Sequence, residues 1–166
     1  MASSSPTKAS LTLGFGNNYP FLDLPMFEHN KRRVQSSYMI IDHTATTDAV
    51  DMTFKDLDAQ HRRRGFFGCL FHYIIRRDGV VEGGRPFDRI SPLTNVLDET
   101  AITVVLVGGK DLDGEPVDNF TTEQREALHG LIHATKLTYP DIEVLGRREV
   151  RRQRTTGPAL DLDPFR

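Results

Sequence analysis

Residues 101–107 read AITVVLV and run straight into Gly108-Gly109. A run without polar–apolar alternation has no face to give to water, so it reads as a central strand buried on both sides. The glycine pair ends it. A strand of this kind demands covering layers, and the rest of the chain must supply them.

The flanking pattern meets that demand. Tyr38–Ile41 reads as a short buried first strand, with an acid and a histidine, Asp42-His43, at its end. Residues 53–64 suit a helix, with Phe54, Leu57 and His61 at helical spacing and Gly65 just beyond. Phe71–Arg76 reads as a strand, Asp78-Gly79 as a tight hairpin turn, and Val80–Glu82 as the returning partner. Thr121 stands three residues before Gln124, the spacing of a helix-capping box, and Leu128, Leu131, Ile132 and Thr135 then share one face. Asp141–Val144 leads into a last strand or loop, and residues 158–165 into a short terminal turn. Interspersed strands and helices predict an α/β domain: a central mixed sheet flanked by helices.

Composition sets outer bounds. The chain has 166 residues, enough for one domain with a core, and its net charge of −2 argues against a generally nucleic-acid-binding surface. No apolar run is long enough to cross a bilayer, and the Ser-rich start lacks an apolar signal core. One cysteine, Cys69, excludes an intrachain disulfide framework and an all-cysteine zinc site; it reads as a buried small hydrophobe. Two basic clusters, HRRRG at 61–65 and RREVRRQR at 147–154, read as solvated charge, as a contact for an anionic polymer or as a partner contact. His43, His61 and His72 fall on different elements, and His129 and His133 sit at i,i+4 on one helix with no acid motif, which disfavours a histidine metal site; His72 reads as a structural histidine.

Residues 1–36 form a separate unit, a tail followed by an apolar arm carrying Phe15, Tyr19, Phe21, Leu24 and Phe27 among Gly and Pro breakers. Too apolar for a linker and too broken for a helix, the arm is expected to dock, on its own domain or on a partner. The domain proper is expected over residues 37–166.

IIDHTAT, FHYIIRRDGVVEGGR, AITVVLVGG, NFTTEQREAL and LGRREV…TTGPALDL, in that order and spacing, resemble the type 2 N-acetylmuramoyl-L-alanine amidases. That family includes the T7-type phage lysozymes and the peptidoglycan-recognition proteins, and the phage branch is the better match. The resemblance spans roughly residues 37–163. It implies a central mixed sheet with a groove, and cleavage of the amide between the lactyl group of muramic acid and L-alanine by a zinc ion on three protein ligands.

Carried over residue by residue, the resemblance places Asp42, Arg147 and Gly157 or Thr155 at the three ligand positions. Arginine has no lone pair for a metal, glycine has no side chain, and threonine is a weak ligand. The proton-handling Tyr or Glu of the middle strand corresponds to Phe71, and the substrate-side histidine to Leu93. The implied set is a degenerate former active site with no metal, no cofactor and no catalytic residue. Asp42 and Arg147 are instead expected to pair as ions, replacing the metal as a cross-link.

The functional expectation follows from that loss. It is a non-catalytic structural or interaction protein, a phage virion component such as a tail, baseplate, connector or capsid-decorating protein. Its partners would be other virion proteins, with residual peptidoglycan contact, no membrane and no specific nucleic acid. It would be made in the bacterial host cytoplasm without a signal peptide. The alternatives are a peptidoglycan-binding module, an amidase with a rearranged site, and a regulatory binder, for instance of a polymerase.

Overall fold

The computed structural model describes residues 31–166. Along them run β1 (Tyr38–His43), α1 (Phe54–Arg63), β2 (Tyr73–Ile75), β3 (Val81–Gly83), β4 (Ala101–Leu106), α2 (Thr122–Thr138) and β5 (Glu143–Gly146). The strands form one sheet in the order β3-β2-β4-β1-β5. The AITVVL run is therefore the middle strand, and every one of its residues is buried. β1 pairs parallel to β4 and to β5, β2 pairs parallel to β4, and only β3 is antiparallel. The sheet is mixed because the Asp78-Gly79 hairpin returns the chain at one edge, while the other connections cross over the sheet.

Alternation along each strand divides the core in two. Met39, Ile41, Ile102, Val104 and Leu106 face Leu128, Leu131 and Ile132 of α2, with Leu160 and Leu162 from the chain end. Ile40, Ile74, Val105 and Val107 face Leu57 of α1, with Leu70, Phe71 and Leu93. Both layers that the central strand demands are thus present.

Local chemistry fixes the helix starts. Thr121 Oγ1 accepts from Gln124 N at 3.1 Å, and Gln124 Oε1 accepts from Thr121 N at 3.1 Å. The same Gln124 amide donates to Ile75 O (3.1 Å) and Val107 O (2.9 Å), so the cap also pins α2 to the ends of β2 and β4. α1 has an unexpected capping box, with Thr53 N donating to Asp56 Oδ2 at 2.8 Å and Asp56 N to Thr53 Oγ1 at 3.4 Å. Gly79 has φ +83, as the turn requires, and a Cβ there would lie 2.8 Å from Glu123 O.

Element boundaries differ from the sequence expectation in instructive ways. β1 does not stop at Ile41; it continues through Asp42 and His43, which pair with Val105 and Leu106. A charged residue reads as the end of a buried strand, but here both polar side chains find partners. The strand expected over Phe71–Arg76 narrows to Tyr73–Ile75, although His72 N still donates to Thr103 O at 2.9 Å. The last strand is Glu143–Gly146, two residues later than expected.

The Phe15, Tyr19, Phe21, Leu24 and Phe27 arm lies outside the described residues. Just after it, Arg33 N donates to Asp88 O and Ser37 N to Thr100 O, while Ile90 N donates to Lys31 O. The Arg33 guanidinium lies 4.3 Å from the centre of the Phe87 ring. Residues 31–37 are therefore part of the domain's own surface. No helix among the described residues is long and apolar enough to cross a membrane.

Candidate functional site

Three segments meet at the C-terminal end of β1. β1 delivers Asp42 and His43, the turn after β5 delivers Arg147, and residues 153–157 close over both. Arg147 Nη1 donates to Asp42 Oδ2 at 2.9 Å across 105 residues of sequence. The other Asp42 oxygen accepts the backbone N–H of His43 at 2.8 Å. The Asp42 side chain is 4% exposed, whereas that of Arg147 is 29% exposed. Arg147 Nε also donates to Gln153 Oε1 at 3.0 Å, and Gln153 Nε2 donates to Thr94 O at 2.7 Å. One carboxylate thus gathers the ends of β1 and β5 and the loop that follows.

His43 lies on the opposite side of β1 from Asp42, yet reaches the same loop. Its Nε2 is 3.3 Å from Thr156 Oγ1, and its Nδ1 is buried without a partner. Gly109, after β4, packs so closely on the ring that a Cβ there would overlap Nδ1. Burial holds the imidazole pKa below the usual histidine range despite the Asp42 charge, and Lys110, Arg148 and Arg147 push it the same way. The ring is neutral at pH 7.

Gly157 is a packing requirement as well as a residue without a ligand. A Cβ at this position would overlap Asp42 Oδ1 and come 2.9 Å from His43 Cδ2. Thr155 Oγ1 accepts from Gly157 N at 3.1 Å. Arg148 anchors the far side of the loop, donating to Leu160 O at 3.0 Å and to Pro158 O. Glu149 takes Gly146 N at 2.6 Å and is paired with Arg166. Its carboxyl is held below the ordinary range by these donors, which overcome burial.

Phe71, His61 and His72 belong to the core, while His129 and His133 are exposed on α2. Phe71 is buried with its ring centre 5.7 Å from that of His61. His61 Nδ1 accepts Leu70 N at 3.1 Å, and burial lowers its pKa to about 4. His72 Nδ1 accepts Thr103 N at 2.9 Å, its Nε2 lies 2.7 Å from Arg89 O, and burial lowers its pKa to about 3. Cys69 is also buried, and burial raises its thiol to about 12. None of these buried groups is available for proton transfer near neutrality.

A zinc ion does not fit the residues at the implied ligand positions. Both Asp42 oxygens already accept hydrogen bonds, Arg147 brings a positive charge, and the loop presents a glycine and a threonine whose hydroxyl already accepts from Gly157 N. Among the described residues no three His, Cys, Asp or Glu side chains are grouped to hold a metal. Sequence reasoning placed Asp42, Arg147, Thr155 and Gly157 in this neighbourhood. It missed Thr156 and Gln153, and the turn of His43 into the site. Their only signal is three-dimensional, since polar residues in a loop have no period.

Comparison with known proteins shows which family this arrangement belongs to. The family model described as N-acetylmuramoyl-L-alanine amidase matches residues 30–159. The endolysin of Enterobacteria phage K11 is 34% identical over 119 residues, covering 72% of this chain and 79% of the relative. Among solved structures, the endolysin N-acetylmuramoyl-L-alanine amidase LysCS from Clostridium intestinale superposes with a TM-score of 0.66 at 20% identity, covering 81% of this chain and 84% of that one. The bumblebee PGRP-SA structure gives a TM-score of 0.66 at 22% identity over 82% of this chain and 83% of that one. At those identities the two structures establish the fold.

The relatives overturn part of the sequence expectation. A match to a curated endolysin contradicts the non-catalytic structural protein, the virion component and the pseudoenzyme assignment. It also conflicts with reading the ligand substitutions as a lost zinc site. The faulty step ran from ligand identity at three positions to the absence of activity. The side chains constrain the donor set at those positions, which is a narrower matter than whether the domain works on cell wall.

Proposed function

We propose, since this chain belongs to the N-acetylmuramoyl-L-alanine amidase family, that it is an endolysin-type enzyme cleaving the lactyl–L-alanine amide of peptidoglycan. The observation that carries this reading is the 34% identity over 119 residues with the endolysin of phage K11, which reaches 79% of that protein's length. The family model matches residues 30–159, which include both Asp42-His43 and Arg147–Gly157. The likeness of fold to the bumblebee PGRP supports the same class of wall polymer as ligand.

The residues at the implied ligand positions do not suit zinc, so no step is routed through a metal. The chain's own groups have definite capacities. His43 is a neutral imidazole beside the exposed Thr156 hydroxyl, able to take a proton or give one to a departing amine. Arg147 keeps a guanidinium at the site, where charge developing on an amide oxygen would be stabilised. Asp42 holds Arg147 in place and fixes the end of the strand that carries His43.

The test is release of free L-alanyl amino termini from purified peptidoglycan, measured by amine labelling and mass spectrometry. It is run on protein treated with chelator and on protein supplied with zinc. Release in either condition is expected, with loss of release in His43→Asn while thermal stability is retained. No release in both conditions would overturn the proposal.

A further inference from the structure

The RREVRRQR segment contains five arginines and one acid, in a chain whose net charge is −2. The fold sorts them. Arg147 is committed to Asp42 and Gln153, Arg148 to the carbonyls of Pro158 and Leu160, and Glu149 to Arg166. Arg151, Arg152 and Arg154 remain, all exposed, and none forms an ion pair among the described residues. The only acid within the segment is therefore already neutralised.

Their placement is specific. Gln153, in their midst, is tied to Thr94 O and to the same Arg147 that binds Asp42. Two residues beyond Arg154, Thr156 reaches His43. Residues 151–154 are thus stapled to the rim of the site from both ends. Arg152 takes φ +66, a left-handed conformation that a non-glycine residue adopts at an energetic cost. The Gln153 tethers hold the turn that way, with arginines at 151, 152 and 154 projecting around it. Lys110, Arg147 and Arg148 also lie close enough to act on His43, against the Asp42 charge, so further cations border the same site.

We infer that Arg151, Arg152 and Arg154 form a carboxylate-binding rim that selects wall peptides with free, unamidated acid groups. The inference rests on the proposed action on peptidoglycan and adds the substrate feature to which the site responds. Guanidinium groups pair with carboxylates in a two-pronged geometry that a carboxamide cannot match, since half of its polar atoms are donors. A rim beside the scissile amide would meet the peptide stem, the anionic part of the substrate. Phosphate polymers offer the same charge, and the experiment separates them.

Binding is measured by calorimetry on the full chain with two muramyl peptides, one bearing free carboxylates and one with those groups amidated. Poly(glycerol phosphate) and a short DNA duplex serve as further probes. The wild-type chain should bind the free acid about tenfold more tightly than the amide, with the preference shrinking as salt rises. The R151Q/R152Q/R154Q variant should lose the preference while binding the amidated peptide as before. The corresponding triple lysine variant should keep part of it. Equal affinity of the wild type for both peptides would overturn the rim, as would a preference surviving in the glutamine variant or tighter binding of either phosphate polymer. Failure to bind both peptides would count against the rim and, together with no amide cleavage, against the proposed function as well. Binding without preference would count against the rim alone.

Discussion

Removing the Arg147 guanidinium while keeping Asp42 should destabilise the domain more than any other single change at the site. Arg147→Met retains most of the aliphatic stem and deletes the charge. Asp42, with its side chain 4% exposed, then keeps one hydrogen bond from His43 N and loses the other. Breaking a buried pair from one side costs about 3–5 kcal/mol. Arg147 is 29% exposed, so water screens part of the interaction and about 2–3 kcal/mol is expected. For a domain of this size that corresponds to a fall in Tm of roughly 5–10 °C. Asp42→Asn, which preserves an acceptor for His43 N and leaves Arg147 partly hydrated, should cost about 1 kcal/mol. The assay is urea unfolding of the two single variants and the double. The double variant should be more stable than the sum of the singles implies by about 1–2 kcal/mol, the signature of two groups that interact. The pair's contribution should change little in 1 M salt, because the carboxylate is shielded from solvent. Additivity to within about 0.5 kcal/mol would refute the claim that this pair links β1 to the segment after β5.

Further outcomes follow from the same packing. Gly157→Ala places a Cβ on Asp42 Oδ1, and a destabilisation of about 1–3 kcal/mol is expected in thermal melts; an unchanged Tm would show that the loop can lift away freely. Gly79→Ala must hold φ +83 with its Cβ 2.8 Å from Glu123 O, so a similar loss is expected, with Gly79→Asn less harmful in backbone conformation but no better in space. Acid should weaken the fold through His61 and His72. Their folded pKa values, about 4 and about 3, lie below the ordinary 6.5, so the unfolded chain binds more protons in between. Their contribution is complete above pH 6.5 and is lost as pH falls, at a slope approaching about 1.4 kcal/mol per pH unit for each. Imidazole NMR signals of His72 that titrate near pH 6.5 in the folded protein would contradict this.

The sheet was legible because its signals are local and redundant. AITVVLV cannot be wetted on either face, Asp78-Gly79 supplies the turn geometry, and Thr121 with Gln124 announces a helix start. Each holds within a few residues, and each is found where the pattern put it. The helix over residues 53–64 was placed, but the capping box at its start was not read, for a small reason: its reciprocal partner is Asp56, while the usual spacing motif carries Glu or Gln. The end of β1 was missed for a larger one. Asp42 is compatible with a buried strand only because Arg147 arrives from 105 residues away, and nothing near Asp42 in sequence announces that arrival.

The same distance separates what the substitutions say from what they were first taken to say. Position by position, Asp42, Arg147 and Gly157 are each readable as departures from a three-ligand metal site. Taken together in space they form a fitted set: the carboxylate satisfied on both oxygens, the guanidinium braced by Gln153, and the glycine small enough to let the loop rest on Asp42. A carboxylate buried at position 42 without Arg147 would cost several kcal/mol. Fitted packing around Asp42 instead leaves His43 and Thr156 adjacent at the rim, with a cationic loop held beside them. A family relationship at 34% identity and a site in which every replaced group has a partner are compatible when the replacements are read as one rearrangement. Amide release measured with and without chelator then asks what that rearranged site does, since the identity of three side chains does not answer it.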